Sequence, residues 1–395
     1  MRRLYILVLL VFAGGNNFAQ VNDKAMAGLI DKQFKLAREQ YRYLAKNTPP
    51  ARMPKTYVEA KNKWETSDTQ WWCSGFYPGS LLYIYEYTKD TATLNEAKKR
   101  LAILEKEKHY TGNHDLGFMM FCSFGNAYRI MKDPEYRPTL DTAAASLVTR
   151  YRPDAKVIQS WNSSKTWKGP VIIDNMMNLE LLLWVARHGG DKKLEQIALN
   201  HADATLKNHF RKDYSSYHVV DYDMSNGKVL KRATSQGAGD ESAWARGQGW
   251  ALYGYTMVYR FTKDKRYLDQ AKHIAAFILK NPAMPADRIP YWDFNAPDIP
   301  NTYRDASAAA IIASALLELG QYSTKKERET YIPEAKKMLV SLSADPYWAK
   351  TGTNGGFLLK HSVGALPLKS EIDVPLTYAD YYYLEALLRY KQWYL

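Results

Sequence analysis

The sequence predicts an all-α fold, an (α/α)6 barrel of six inner and six outer helices in one domain, and three observations lead there. Apolar residues recur with a period near 3.6 along most of the chain, and almost no convincing strand pattern interrupts them. The helical segments alternate strictly between an amphipathic kind and a kind that is apolar or aromatic nearly all round. Polar and glycine-rich signatures stand at the start of every second segment.

Taken in order, residues 1–20 (MRRLYILVLLVFAGGNNFAQ) set Arg2 and Arg3 before an apolar run from Leu4 to Ala13. That is the pattern of an export signal, too short in its apolar stretch to span a bilayer. No Cys follows the run, which argues against a lipid anchor, and no later stretch is apolar enough to cross a membrane. A periplasmic or secreted protein is expected, its single domain filling 21–395. Helices are predicted at 24–47, 73–88, 92–108, 115–131, 137–151, 174–187, 191–211, 241–262, 265–280, 304–320, 326–344 and 375–391. The odd-numbered ones are amphipathic. In the third, Leu94, Ala97, Leu101 and Leu104 form one stripe, with Glu96, Lys98, Lys99, Arg100 and Lys106 opposite. The even-numbered ones, such as Met176 to Ala186 and Ala306 to Leu319, are apolar all round and therefore buried on every side. Six surface helices alternating with six buried ones are what a double ring requires. WWCSGFYPG, NHDLGF, IIDNMMN, DESAWARGQGW, RDASAAA and DVPLTYADYYY open the inner helices, so their N-terminal ends converge on one mouth. Helix N-termini offer unpaired N–H groups and positive dipole ends, which favour an anionic ligand.

The formal charge of +13 becomes +11 once the two arginines of the signal are lost, and this suits an anionic partner. The basic residues are spread along polar helix faces rather than gathered in one motif, which favours an acidic glycan over nucleic acid. The only two cysteines, Cys73 and Cys122, are too few for a disulfide framework and read as small buried hydrophobes. H-E-x-x-H, paired C-x-x-C, G-x-S-x-G, a P-loop and a strand-borne dinucleotide fingerprint are all missing. Neither cofactor nor metal is expected, nor membrane insertion, and the chain is expected to act as a monomer or weak homo-oligomer.

Asp115 and Asp174 each open a buried helix and are followed by apolar residues. Either could simply cap its helix, as Asp often does. Two such residues at one end of adjacent inner helices also suggest a functional carboxylate pair. Around them stand His114, Phe118, Trp161, Trp167, His218, Gln236, Arg246 and Trp250. Aromatics stack on sugar faces and an Arg fork matches a carboxylate, although a lone Trp is commonly core and a lone His a satisfied buried group.

These six signatures in this order resemble glycoside hydrolase family 88, the unsaturated glucuronyl hydrolases, from about Trp71 to the C-terminus. The resemblance implies the barrel fold and a metal-free role in breaking down oligosaccharides. It implies Asp174 as general acid/base and Asp115 as its assistant. It also implies substrate binding by His114, Phe118, Trp161, His218, Gln236, Arg246 and Trp250, with Trp72 as a first aromatic wall. Members that accept sulfated chondroitin products carry a Ser/Lys-rich loop before the last inner helix. Here that loop reads HSVGALPLKSEIDV and offers chiefly Lys369 and Ser370, so preference for a 6-sulfated amino sugar does not follow.

The implied substrate carries a C4=C5 double bond conjugated with its carboxylate, and hydration of that bond releases the unsaturated uronic acid from the non-reducing end. Alternatives on the same barrel are an unsaturated rhamnogalacturonyl hydrolase acting on pectin fragments, a sugar 2-epimerase, and a non-catalytic glycan-binding protein.

Overall fold

The computed structural model describes residues 22–395, so the export segment expected at 1–20 lies outside the described residues. Twelve helices appear among them: α1 (Asp23–Asn47), α2 (Phe76–Thr88), α3 (Thr91–Leu104), α4 (Leu116–Met120, continued by a π turn at Phe121–Gly125 and by Asn126–Met131), α5 (Arg137–Val148) and α6 (Asn175–Arg187). The second half adds α7 (Lys193–Asn208), α8 (Ala245–Thr262), α9 (Lys265–Lys280), α10 (Ala306–Gln321), α11 (Lys325–Leu342) and α12 (Thr377–Tyr394). Even-numbered helices pack on one another in sequence, and α12 returns onto α2 to close the inner ring. Odd-numbered helices pack outside them as hairpin partners. The predicted (α/α)6 barrel is the observed fold.

Composition explains each ring. In α10 every residue from Ala306 to Gly320 is buried, and its run of alanines lets five neighbouring elements approach closely. In α9 the buried Tyr267, Leu268, Ala271, Ile274, Ala275 and Ile278 form one stripe, and the Asp264 side chain caps the helix by accepting the N–H of Arg266. Across the barrel axis, Phe76, Phe118, Trp250 and Tyr382 from four inner helices stack into an aromatic plug, with successive ring centroids 5.3, 5.0 and 5.3 Å apart.

The expectation of almost no strands is corrected: nine short strands occur among the described residues. They are β1 (Met53–Val58), β2 (Lys63–Ser67), β3 (Tyr151–Arg152), β4 (Val157–Ile158), β5 (Pro170–Ile172), β6 (Val219–Tyr222), β7 (Val229–Ala233), β8 (Ser362–Ala365) and β9 (Ser370–Val374). All lie in connections leading from an outer helix to an inner one, and β5 joins β6 and β7 across two such connections. Runs of two to six residues are too short for alternation to be legible. The opposite end has only brief turns, with Lys89, Lys132 and Lys263 in the left-handed region closing α2, α4 and α8. One end of the barrel is thereby built up around a mouth.

Several inner helices start later than predicted. Residues 73–75 form a turn before Phe76, Trp244 bridges Asp293 before Ala245, and Arg304 bridges Tyr291 before Ala306. Backbone pairing at the mouth takes the residues that periodicity alone assigns to the helix.

Candidate active site

A cavity of about 210 Å³ opens at the mouth, lined by Trp72, Asp115, Trp161, Asp174, His218, Gln236 and Arg246 together with Ile172, Ser235 and Leu368. Seven of the thirteen residues singled out in the sequence are therefore brought together on its wall.

Asp115 and Asp174 occupy the N-cap positions of α4 and α6, yet neither side chain makes a capping hydrogen bond. The capping alternative is thereby removed for both. Burial raises the Asp174 carboxyl to about 7. The nearby Arg246 opposes that rise, Asp115 adds to it, and Asp174's own N–H and the Trp250 indole N–H favour the ionised form. Burial likewise raises Asp115 to about 7, against the Asn178 amide and the Arg150 charge. A carboxyl that is still protonated near neutrality can donate a proton there, which an ordinary Asp cannot.

His218 is 4% exposed, and its Nδ1 accepts the backbone N–H groups of Ser235 and Gln236 at 2.9 and 3.2 Å. Two donors aimed at Nδ1 leave the ring proton on Nε2, which faces the Asp174 Oδ2 at 3.8 Å. Burial, with Arg246 nearby, lowers the ring to about 3, so it is neutral at physiological pH. His114 is also lowered to about 3 by burial, and its Nε2 lies 3.3 Å from Asp115 Oδ1. Phe118 and Trp250 do not reach the cavity wall. They belong to the aromatic plug, which Trp72 joins with its ring 5.7 Å from Phe118.

Arg246 is 1% exposed and stands between the Trp244 and Tyr378 rings, 4.5 and 5.2 Å away. Its Nη1 donates to the Val363 carbonyl and, at 3.3 Å, to Asp305, while Nη2 donates to the Gly364 carbonyl at 2.6 Å. The fork is thus engaged with β8, so Arg246 contributes charge and ties down the β8–β9 hairpin; a free bidentate grip on a substrate carboxylate is not open to it. The Gln236 amide reaches the same Gly364 carbonyl at 3.4 Å. Of the hairpin residues, Leu368, 63% exposed, lines the cavity, whereas Lys369 and Ser370 sit beside it at the turn.

Several polar atoms at this end are buried with no hydrogen-bond partner among the described residues: His114 Nδ1, Asp174 Oδ2, Asn175 Oδ1, Asn178 Nδ2, His218 Nε2, Arg246 Nε and Trp250 Nε1. Such atoms are costly unless something pairs with them. A larger cavity of about 530 Å³ lies at the opposite end, but its charges pair internally, Arg260 with Glu180 and Glu318, and Arg389 with Glu318 and Glu385. The chemistry belongs to the smaller one. Among the described residues no cluster of three or more His, Cys, Asp or Glu is placed to hold a metal ion, and no helix is long and apolar enough to cross a membrane.

Asn175, Asn178 and Asp305 were not among the residues the sequence singled out. The signal was present for the first two, since D-N-M-M-N puts Asn178 four residues after Asp174 and hence on the same face of α6.

The chain is similar to several known proteins. The family described as Glycosyl Hydrolase Family 88 matches residues 36–394. An unsaturated glucuronyl hydrolase of Formosa agariphila is 45% identical over 322 residues, covering 80% of this chain and 79% of its own. Among solved structures, an unsaturated glucuronyl hydrolase specific for heparin superposes with a TM-score of 0.89 at 48% identity, over 92% of this chain and 97% of its own. A mutant unsaturated glucuronyl hydrolase from Streptococcus agalactiae, complexed with dGlcA-GalNAc6S, superposes with a TM-score of 0.80 at 30% identity, over 95% and 94%.

Proposed function

The chain belongs to glycoside hydrolase family 88 and is a glycosidase that removes 4,5-unsaturated uronic acid from oligosaccharides, and we propose that Asp174 delivers the proton that starts the reaction. The observation that carries this is the pair of uncapped carboxyls at the mouth, Asp174 buried and Asp115 partly so, both shifted to about 7.

The C4=C5 double bond of the substrate joins the ring oxygen at C5 and is therefore a vinyl ether. Asp174 gives its proton to C4, and positive charge develops at C5 with help from the ring oxygen. Water adds to C5 and returns a proton to Asp174. The resulting hemiketal opens at the C5–O5 bond to a ketone at C5, and the hemiacetal left at C1 collapses to an aldehyde and releases the leaving sugar with a proton. Since bond formation occurs at C5, the carboxylate spacing rules of ordinary glycosidases do not apply. Asp115 assists as the second carboxyl; burial raises it as well, and Arg150 and the Asn178 amide limit that rise. The neutral His218 offers its Nε2–H beside Asp174, and Trp72 and Trp161 supply aromatic faces for the sugars.

Similarity to the heparin-specific structure makes unsaturated heparin disaccharides the first substrates to assay. The leader-like residues 1–20 support export to the periplasm, which cell fractionation tests. For the chemistry, turnover in deuterium oxide followed by early borohydride trapping should put one deuteron on C4. A product labelled by solvent oxygen at C1, with C4 free of deuterium, would overturn hydration in favour of direct glycosidic attack.

A further inference from the structure

We infer that Asn178 caps helix α4 in place of Asp115, and that this substitution is what leaves the Asp115 carboxyl turned toward the pocket. The inference rests on the reading of Asp115 as a working carboxyl.

An Asp at the N-cap normally accepts the backbone N–H of the second or third helical residue. Asp90, Asp264 and Asp305 each do this for α3, α9 and α10. Asp115 does not. The N–H of Phe118, the third residue of α4, donates instead to Asn178 Oδ1 at 2.8 Å, across from α6. The two helices cross at this point, where a Cβ on Gly117 would lie 2.5 Å from the Asn178 Cα and 2.7 Å from its Oδ1. Only a residue without a side chain lets Asn178 come so near.

Accepting the Phe118 N–H also settles which end of the amide is oxygen. Nδ2 is then the donor; it is buried with no hydrogen-bond partner among the described residues, and its nearness favours the ionised form of Asp115. The other groups facing Asp115 are His114 beside it, Arg150 after α5, Asp174 at the start of α6, the Tyr110 phenol and the Cys73 thiol. Asn178 thus acts as a positioning residue in two ways, through the hydrogen bond it accepts from the helix end and through the unpaired N–H groups it sets near the carboxyl.

Two variants pull these two effects apart. In Asn178→Ala the acceptor is gone, so a crystal structure should show the Asp115 carboxyl swung onto the Phe118 N–H. kcat should fall at least about tenfold with KM little changed, since the group is out of reach, and the acid limb of the pH–rate profile should move down. Asn178→Asp keeps the acceptor, and with it the fold, but sets a second carboxyl against Asp115, so the acid limb should move up. Opposite displacements are the signature, because a purely structural role predicts none. Asp115 unmoved in Asn178→Ala, with the limbs displaced alike or not at all, overturns the inference. Asp115 rotated with wild-type kcat would sustain the capping role and refute the catalytic reading of Asp115 instead.

Discussion

Replacing Asp174 by Asn should cost activity and add stability, and the second effect should depend on pH. The residue is 7% exposed and its carboxyl is raised from 3.8 to about 7, chiefly by burial. That displacement corresponds to roughly 4 kcal/mol, at about 1.4 kcal/mol per pH unit. Below pH 3.8 the carboxyl is protonated in both folded and unfolded chains. Between 3.8 and about 7 the unfolded chain releases the proton while the folded one keeps it, so stability falls as pH rises. Above about 7 the full penalty of a buried carboxylate is present. Asn has nearly the same shape and does not titrate, so it escapes the penalty. Thermal unfolding should show the two proteins alike near pH 4 and Asp174→Asn more stable by a few kcal/mol, several degrees in Tm, near pH 8. Turnover, followed by loss of the substrate's conjugated double-bond absorbance, should drop at least about a hundredfold, because the amide has no proton to deliver. A Tm difference that is the same at both pH values would refute the burial argument. Near-wild-type turnover in the folded variant would remove Asp174 from catalysis.

Three further outcomes are expected. kcat/KM should fall as pH rises through about 7, where Asp174 loses its proton; activity still climbing at pH 9 would contradict this assignment. Gly117→Ala forces a Cβ to within 2.5 Å of the Asn178 backbone, so it should lower Tm and kcat together, and unchanged values of both would show that the crossing tolerates a side chain. Arg246→Lys removes the fork that holds the Val363 and Gly364 carbonyls. Limited proteolysis should then cut faster in the 362–374 hairpin, with a higher KM, whereas an unaltered cleavage pattern would mean that the hairpin is anchored elsewhere.

The alternation of helix types was legible in the sequence because burial on one face or on all faces writes itself into composition every 3.6 residues. The N-terminal signatures of the inner helices followed from the same periodicity, and they were enough to put Trp72, Asp115, Asp174 and Arg246 at one mouth, whereas Trp161, His218 and Gln236 lie in loops and were joined to them through the family resemblance. What each of these residues does there was decided by the tertiary structure. Whether an Asp caps or reacts depends on who takes the third N–H of its helix, and for α4 that partner is Asn178, 60 positions away. His218 carries its proton on Nε2 because the Ser235 and Gln236 backbone turns its N–H groups onto Nδ1. Arg246 is committed to β8 because a hairpin more than a hundred residues later places two carbonyls against it. The short strands at the mouth belong to the same class, since their pairing spans connections that periodicity cannot relate. Local pattern determined which residues are buried and which helix ends meet, because those depend on each segment's own sequence; hydrogen-bond partnership across elements did not follow, because it depends on distances that only the packed chain sets.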